Sequence, residues 1–168
     1  MNTQVVIGYH TVSRRHKDSY VLDVIDGILG RGQSGRIFTQ LREKRGLAYD
    51  VGTHHVSDID FGYFALFCSV DKKNVPIVQK VVKEELKKLL LIDKKDLKEA
   101  QKFVEGNFYL NLESTHQLAD QILVWEHICG AQTINKYVKN VKSVTINDVK
   151  RIVKKYFTYS STVIIEGK

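Results

Sequence analysis

Apolar residues recur along this chain in two different periods, and their alternation lays out an ordered series of strands and helices. Gln4-Val-Val-Ile-Gly-Tyr9 is a short β-prone run, followed by a polar turn from Thr11 to Lys17. From Asp18 onward Val21, Val24, Ile25, Ile28 and Leu29 recur at spacings of three and four, which predicts a helix with Asp18 or Ser19 as its cap and Gly30 near its end. Gly30-Arg-Gly-Gln-Ser-Gly35 reads as an inter-helix turn needing positive φ, and Ile37, Phe38 and Leu41 mark a second short helix that Gly46 can end. Residues 47–56 and 61–70 are β-prone and joined by Ser57-Asp-Ile-Asp60, the length and polarity of a hairpin loop. The second of these runs is apolar at both parities, which predicts a central strand covered on at least part of both faces.

The second half is mainly helical. Asn74 and Pro76 suit an N-cap and a first turn, and Val78, Val81, Val82, Leu86, Leu89 and Leu90 form one stripe behind them. Asp93 and Asp96 start another helix, whose Leu97, Ala100, Phe103, Val104 and Phe108 point toward the core as far as Leu112. Weaker helical patterns cover 116–129 and 134–140. Thr145 with Asp148 resembles a capping box before Val149, Ile152, Val153 and Phe157, and Thr162 to Glu166 is a closing strand. The order predicts an α+β fold, an antiparallel β-sheet covered by helices in a layer sandwich.

Composition narrows the function classes. With 168 residues, 43% of them hydrophobic and 27% charged, the chain suits one domain over 1–168. No apolar stretch nears the roughly 18 residues of a membrane span, and Met1-Asn-Thr-Gln4 has no basic region before an apolar run, so the reading favours a cytoplasmic location. Cys68 and Cys129 lie too far apart for a redox pair or zinc knuckle and are compatible with a reducing compartment. The net charge of +7 invites a nucleic-acid partner. Against that, the lysines at 72, 73, 80, 83, 87, 88, 94, 95, 98 and 102 are mixed with Glu84, Glu85, Asp93, Asp96 and Glu99, as on solvated helix faces. A nucleic-acid-binding module is therefore the weakest reading.

No self-sufficient active site is legible. Leu123-Val-Trp-Glu-His127 has the spacing of an H-x-x-E-H zinc helix but places leucine, which has no lone pair, at the first ligand position. His54 and His55 alternate across a strand and cannot chelate one ion together. His10, His16 and His116 lack ligand-spaced neighbours, there is no G-x-S-x-G elbow, and the Gly30 loop lacks the Gly-Lys-Ser/Thr ending of a phosphate loop.

From Ile28 to Val51 the chain reads ILGRGQSGRIFTQLREKRGLAYDV. With Phe61-Gly-Tyr-Phe, Leu110-Asn-Leu-Glu-Ser-Thr115, Val144-Thr-Ile-Asn-Asp-Val149 and Thr162-Val-Ile-Ile, this resembles the second, non-zinc domain of the M16 zinc peptidases. That family includes insulysin, pitrilysin and mitochondrial processing peptidase, and the resemblance covers nearly the whole chain. It implies a LuxS- and processing-peptidase-like α/β sandwich and a divided active site, in which an H-x-x-E-H-bearing N-terminal domain or subunit holds Zn2+ and this domain closes over a peptide. Arg42 and Tyr49 match the family's arginine and tyrosine seven residues apart, which implies that Arg42 holds a substrate carbonyl and Tyr49 donates to the oxyanion formed from it. Gly30, Gly32 and Gly35 match a glycine-rich loop associated with substrate handling, with Arg31 interrupting the glycines. No cofactor is implied for this chain itself, and no activity is expected of it alone. The alternative is a non-catalytic structural or interaction subunit, like the M16-related core subunits of respiratory complexes. The absent first domain implies a fragment of a longer protease or one of two separate halves, and the early start of the pattern after Met1 favours an excised domain.

Overall fold

The computed structural model describes residues 3–167. Four strands form one antiparallel sheet in the order β2-β3-β1-β4. They are β1 (Thr3–His10), β2 (Ala48–Ser57), β3 (Gly62–Val70) and β4 (Ser161–Ile165). β2 and β3 make the expected hairpin, with Val56 opposite Tyr63 and Thr53 opposite Leu66, while β1 sits between β3 and β4. Alternation in β1 sends Val5, Ile7 and Tyr9 inward, where they meet Phe64, Leu66 and Cys68 of β3.

The helices are α1 (Asp18–Leu29), α2 (Arg36–Phe38), α3 (Val75–Lys88), α4 (Lys94–Leu110), α5 (Thr115–Cys129), α6 (Tyr137–Lys142) and α7 (Ile146–Tyr156). α1 is the centre of the helical layer. Leu22, Val24, Ile25 and Leu29 are fully enclosed between the inner sheet face and α4, α6 and α7. The capping box of α7 forms as its sequence indicates: Thr145 Oγ1 accepts from the Asp148 amide at 3.2 Å and Asp148 accepts from the Thr145 amide at 3.0 Å. Asp93 caps α4 by accepting from the Asp96 amide. Among the described residues no helix is long and apolar enough to cross a membrane.

Several expectations are corrected. Neither Asp18 nor Ser19 caps α1; His16 Nδ1 accepts the Asp18 amide at 3.0 Å, and both residues are buried inside the first turn. Asn74 makes no side-chain cap because a 3-10 turn over Lys72–Asn74 runs directly into α3 and already holds it in helical conformation. β3 is central and partly covered on its second face as expected, with Ser69 buried there, but the helices lie on the opposite side and leave Tyr63 and Phe67 41% and 38% exposed. Phe103 is also exposed, since it lies off the face of α4 on which Ala100, Val104 and Phe108 pack against the core.

Candidate functional site

The stretch between α1 and β2 is irregular in three consecutive ways. The Gly30–Gly35 loop contains a 3-10 turn over Gly32–Ser34, and of its glycines only Gly32 takes positive φ, at 57°. Gly30 is required for a different reason, since a Cβ there would lie 1.9 Å from Thr53 Oγ1 of β2. A Cβ on Gly35 would meet the Leu29 carbonyl at 2.6 Å. Arg31 pairs with Glu99 at 2.7 Å and Arg36 with Asp96, which fastens the loop to α4.

Next, α2 gives way to a π-helical turn over Thr39–Glu43 that carries Arg42. Such turns insert an extra residue per turn and re-aim side chains, and they are frequent at functional positions. Gly46, at φ 60°, then ends the helix as a left-handed residue, its amide donating to the Arg42 carbonyl at 3.0 Å. Finally, the register of β2 against β3 shifts between Ala48 and Val51, so Tyr49 stands on a bulge at the start of an edge strand.

These irregularities bring Arg42 and Tyr49 together. Arg42 Nη1 donates to the Tyr49 carbonyl at 2.8 Å, and the guanidinium lies 5.2 Å from the ring centroids of both Phe38 and Tyr49. A guanidinium held this way keeps donors free while its plane is steadied by two aromatic faces. Tyr49 is 76% exposed, so its phenol faces solvent. In the glycine loop, Gly30 packs on Thr53 in the middle of β2, Gly35 on the Leu29 carbonyl, and Gly32 has no close neighbour.

The other candidates fall into structural roles. In α5, Trp125 is buried, and Glu126 accepts from the Ala131 amide at 2.8 Å. The carbonyls of His127 and Ile128 accept from Arg15. Among the described residues no group of three or more His, Cys, Asp or Glu side chains is placed to hold a metal ion, so the side chains present do not fit a zinc site. Cys68 and Cys129 are free; burial, with a contribution from the charge of Asp50, pushes the Cys68 thiol up to about 11, and Cys129 is exposed.

Two buried ionic clusters were not anticipated. Asp23 accepts from Arg14 at 2.5 and 3.2 Å and from the Tyr137 hydroxyl at 2.9 Å, and it lies 2.7 Å from His55 Nδ1. Burial opposes ionisation of Asp23, but Arg14 and His55 outweigh it and hold the carboxyl well below the usual range. Asp18, with no exposed side-chain surface, meets Arg151 at 2.8 Å, the Tyr156 hydroxyl at 2.8 Å and Lys155 at 3.3 Å. The available signal was the composition of α1: apolar residues occupy nearly all its faces, so Asp18, Asp23 and Asp26 could not all reach solvent.

The sequence pattern of the peptidase M16 inactive domain matches residues 1–104. The chain belongs to this family. The M16 inactive domain described here is 30% identical over 152 residues to an uncharacterized zinc protease of Streptomyces coelicolor, covering 88% of this chain and 33% of that protein. Its fold is shared with a protease from Helicobacter pylori, at 24% identity and a TM-score of 0.87, over 99% of this chain and 41% of the other. It is shared equally with an inactive peptidase domain from Bordetella parapertussis, at 15% identity and a TM-score of 0.87, covering 99% and 93% of the two chains. The M16 inactive domain spans between 33% and 41% of the length of the first curated zinc proteases it matches.

Proposed function

We propose that this domain is the substrate-holding side of a divided M16 peptidase site, one unit of a larger assembly whose H-x-x-E-H-bearing N-terminal domain or subunit carries Zn2+ and the general base. The observation that supports it most is the Arg42 guanidinium, steadied between Phe38 and Tyr49 on a π-helical turn beside the bulged start of an exposed edge strand. Arg42 uses one hydrogen bond to brace the strand and keeps other donors for a peptide carbonyl. The Tyr49 phenol, free of the core, donates to the oxyanion that develops at the carbonyl under attack. Gly30 and Gly35 let the loop pack closely on Thr53 and the Leu29 carbonyl and Gly32 supplies its positive φ, which sets the shape of the loop along which an extended peptide would pass. No step of the chemistry is assigned to the isolated chain. The free thiols of Cys68 and Cys129 support a cytoplasmic setting.

The test uses the domain assembled with its zinc-bearing half. Tyr49→Phe is expected to lower kcat by roughly 10²–10³, as for loss of one oxyanion donor, and Arg42→Ala to lower kcat/KM, with assembly unchanged in both. Unaltered turnover would transfer both residues to the second reading, a non-catalytic structural or interaction subunit. That reading is favoured by the hydrogen bond from Arg42 to its own chain, which a purely structural brace would also make.

A further inference from the structure

A cavity of about 330 Å³ opens on the helical side of the domain between α1, α4 and α5, and neither Arg42 nor Tyr49 lines it. Its charged wall consists of Arg14, Asp23 and Asp26, one cation against two carboxylates. Arg14 and Asp23 neutralise each other through two hydrogen bonds. Asp23, with further contacts to Tyr137 and His55, has its acceptor positions filled, and the Arg14 guanidinium lies 5.9 Å from the Tyr137 ring centroid. Asp26 differs. Among the described residues its one side-chain donor is Thr53 Oγ1, at 2.5 Å on Oδ1, and no Lys or Arg pairs with it. Burial raises its pKa, and the Thr53 hydrogen bond only partly offsets that.

The rest of the wall is aromatic and amide. Tyr137 stacks on Phe108 with centroids 4.7 Å apart and meets Trp125 edge-on at 5.9 Å, while Asn107 and Gln121 stand on α4 and α5. A carboxylate without a cation, facing π-surfaces in a cavity of ligand size, selects for positive charge on an apolar body. An anion would meet two carboxylates and a single guanidinium whose charge one of them already neutralises. We propose that this cavity binds a small organic cation of the arylalkyl-ammonium class, its ammonium on Asp26 and its apolar body against Trp125 and Phe108.

Trp125 is the only tryptophan of the chain, so its fluorescence reports on the cavity directly. The 168-residue chain would be titrated with 2-phenylethylamine, with its neutral counterpart 2-phenylethanol and with the anion 3-phenylpropionate, following Trp125 emission and backbone amide NMR shifts. Saturable binding of the amine is expected, at least about tenfold tighter than that of the alcohol, with no binding of the anion. Asp26→Asn, which can keep the Thr53 hydrogen bond, should erase the preference for amine over alcohol. Asn107→Phe, at an exposed position on the rim, should block both while leaving Asp26 and the fold intact, so the proposal stays testable if Asp26→Asn does not fold. A parallel titration with acetyl-Phe-Lys-amide separates the sources: tighter binding of the free amine assigns the site to a metabolite-like cation, and tighter binding of the peptide to a lysine side chain. Equal affinity for amine and alcohol, an unchanged preference in Asp26→Asn, or no saturable response at millimolar amine would each overturn the proposal.

Discussion

Gly30 shows how a single position ties a candidate loop to the core. Its φ of −120° is open to any residue, so conformational freedom is not why glycine stands there. The reason is Thr53: a Cβ on residue 30 would fall 1.9 Å from Oγ1 and 3.0 Å from Cβ of that side chain, and Oγ1 is the group that donates to Asp26. Gly30→Ala should therefore drive Thr53 off a largely buried carboxylate as well as overpack the contact between loop and strand, costing about 2–4 kcal/mol. Gly32→Ala, strained only by its positive φ, should cost about 1 kcal/mol. Urea midpoints of the two variants test the order, and in a Thr53→Ala background the Gly30→Ala penalty should shrink. If Gly30→Ala is no worse than Gly32→Ala, the close approach to Thr53 is not what the position demands.

Elements that follow one periodicity and end in local signals were the legible ones. In α7, Thr145, Asp148, Val149, Ile152 and Val153 state its start and its buried face within nine residues, and the structure follows them. Removing the Thr145 hydroxyl should show what that start is worth. Thr145→Ala is expected to lower global stability by about 1 kcal/mol, with faster amide exchange confined to the first turn of α7, whereas Thr145→Ser should restore most of it. Equal protection in all three proteins would mean that packing of Val149 and Ile152 alone sets the helix start. The π turn over Thr39–Glu43 is the opposite case. Ile37, Phe38 and Leu41 announce a helix but carry no sign of the extra residue in its turn, because that depends on how Leu41 is buried while Arg42 is turned outward. The sequence motif thus named Arg42 and Tyr49, but only the irregular turn and the bulge of β2 show how the two meet. The outer face of β3 is partly covered, as apolar residues at both parities indicate, but such residues specify affinity for a neighbour without naming it, and Tyr63 and Phe67 stay exposed.

At the scale of the molecule, the +7 charge is divided between solvated helix faces and two clusters that join the helical layer across long stretches of chain. Asp18 links the start of α1 to the last turns of α7, and Asp23 links α1 to β2, Arg14 and α6. Burial alone would raise the Asp18 pKa, but Arg151, Tyr156 and Lys155 together lower it from 3.8 to about 2. A carboxylate whose pKa is lower in the folded than in the unfolded state binds fewer protons when folded. Its stabilisation is therefore complete above the unfolded value and disappears as pH falls through the folded one. Asp18 itself is enclosed, but Arg151 and Lys155 are about half exposed, so solvent screening reduces its contribution to the order of 1–2 kcal/mol. Wild-type stability, followed by urea unfolding against pH, should fall as pH drops from about 4 toward 2. Asp18→Asn should be less stable than wild type at neutral pH, and the gap should close across that same interval because the variant has no proton to gain there. Asp23, held lower still, loses stabilisation across the same interval and on below it in both proteins, so the wild-type curve carries both carboxylates and only the closing gap between wild type and Asp18→Asn isolates Asp18. Parallel curves for the two proteins would show that the contacts between α1 and α7 contribute no pH-dependent stability.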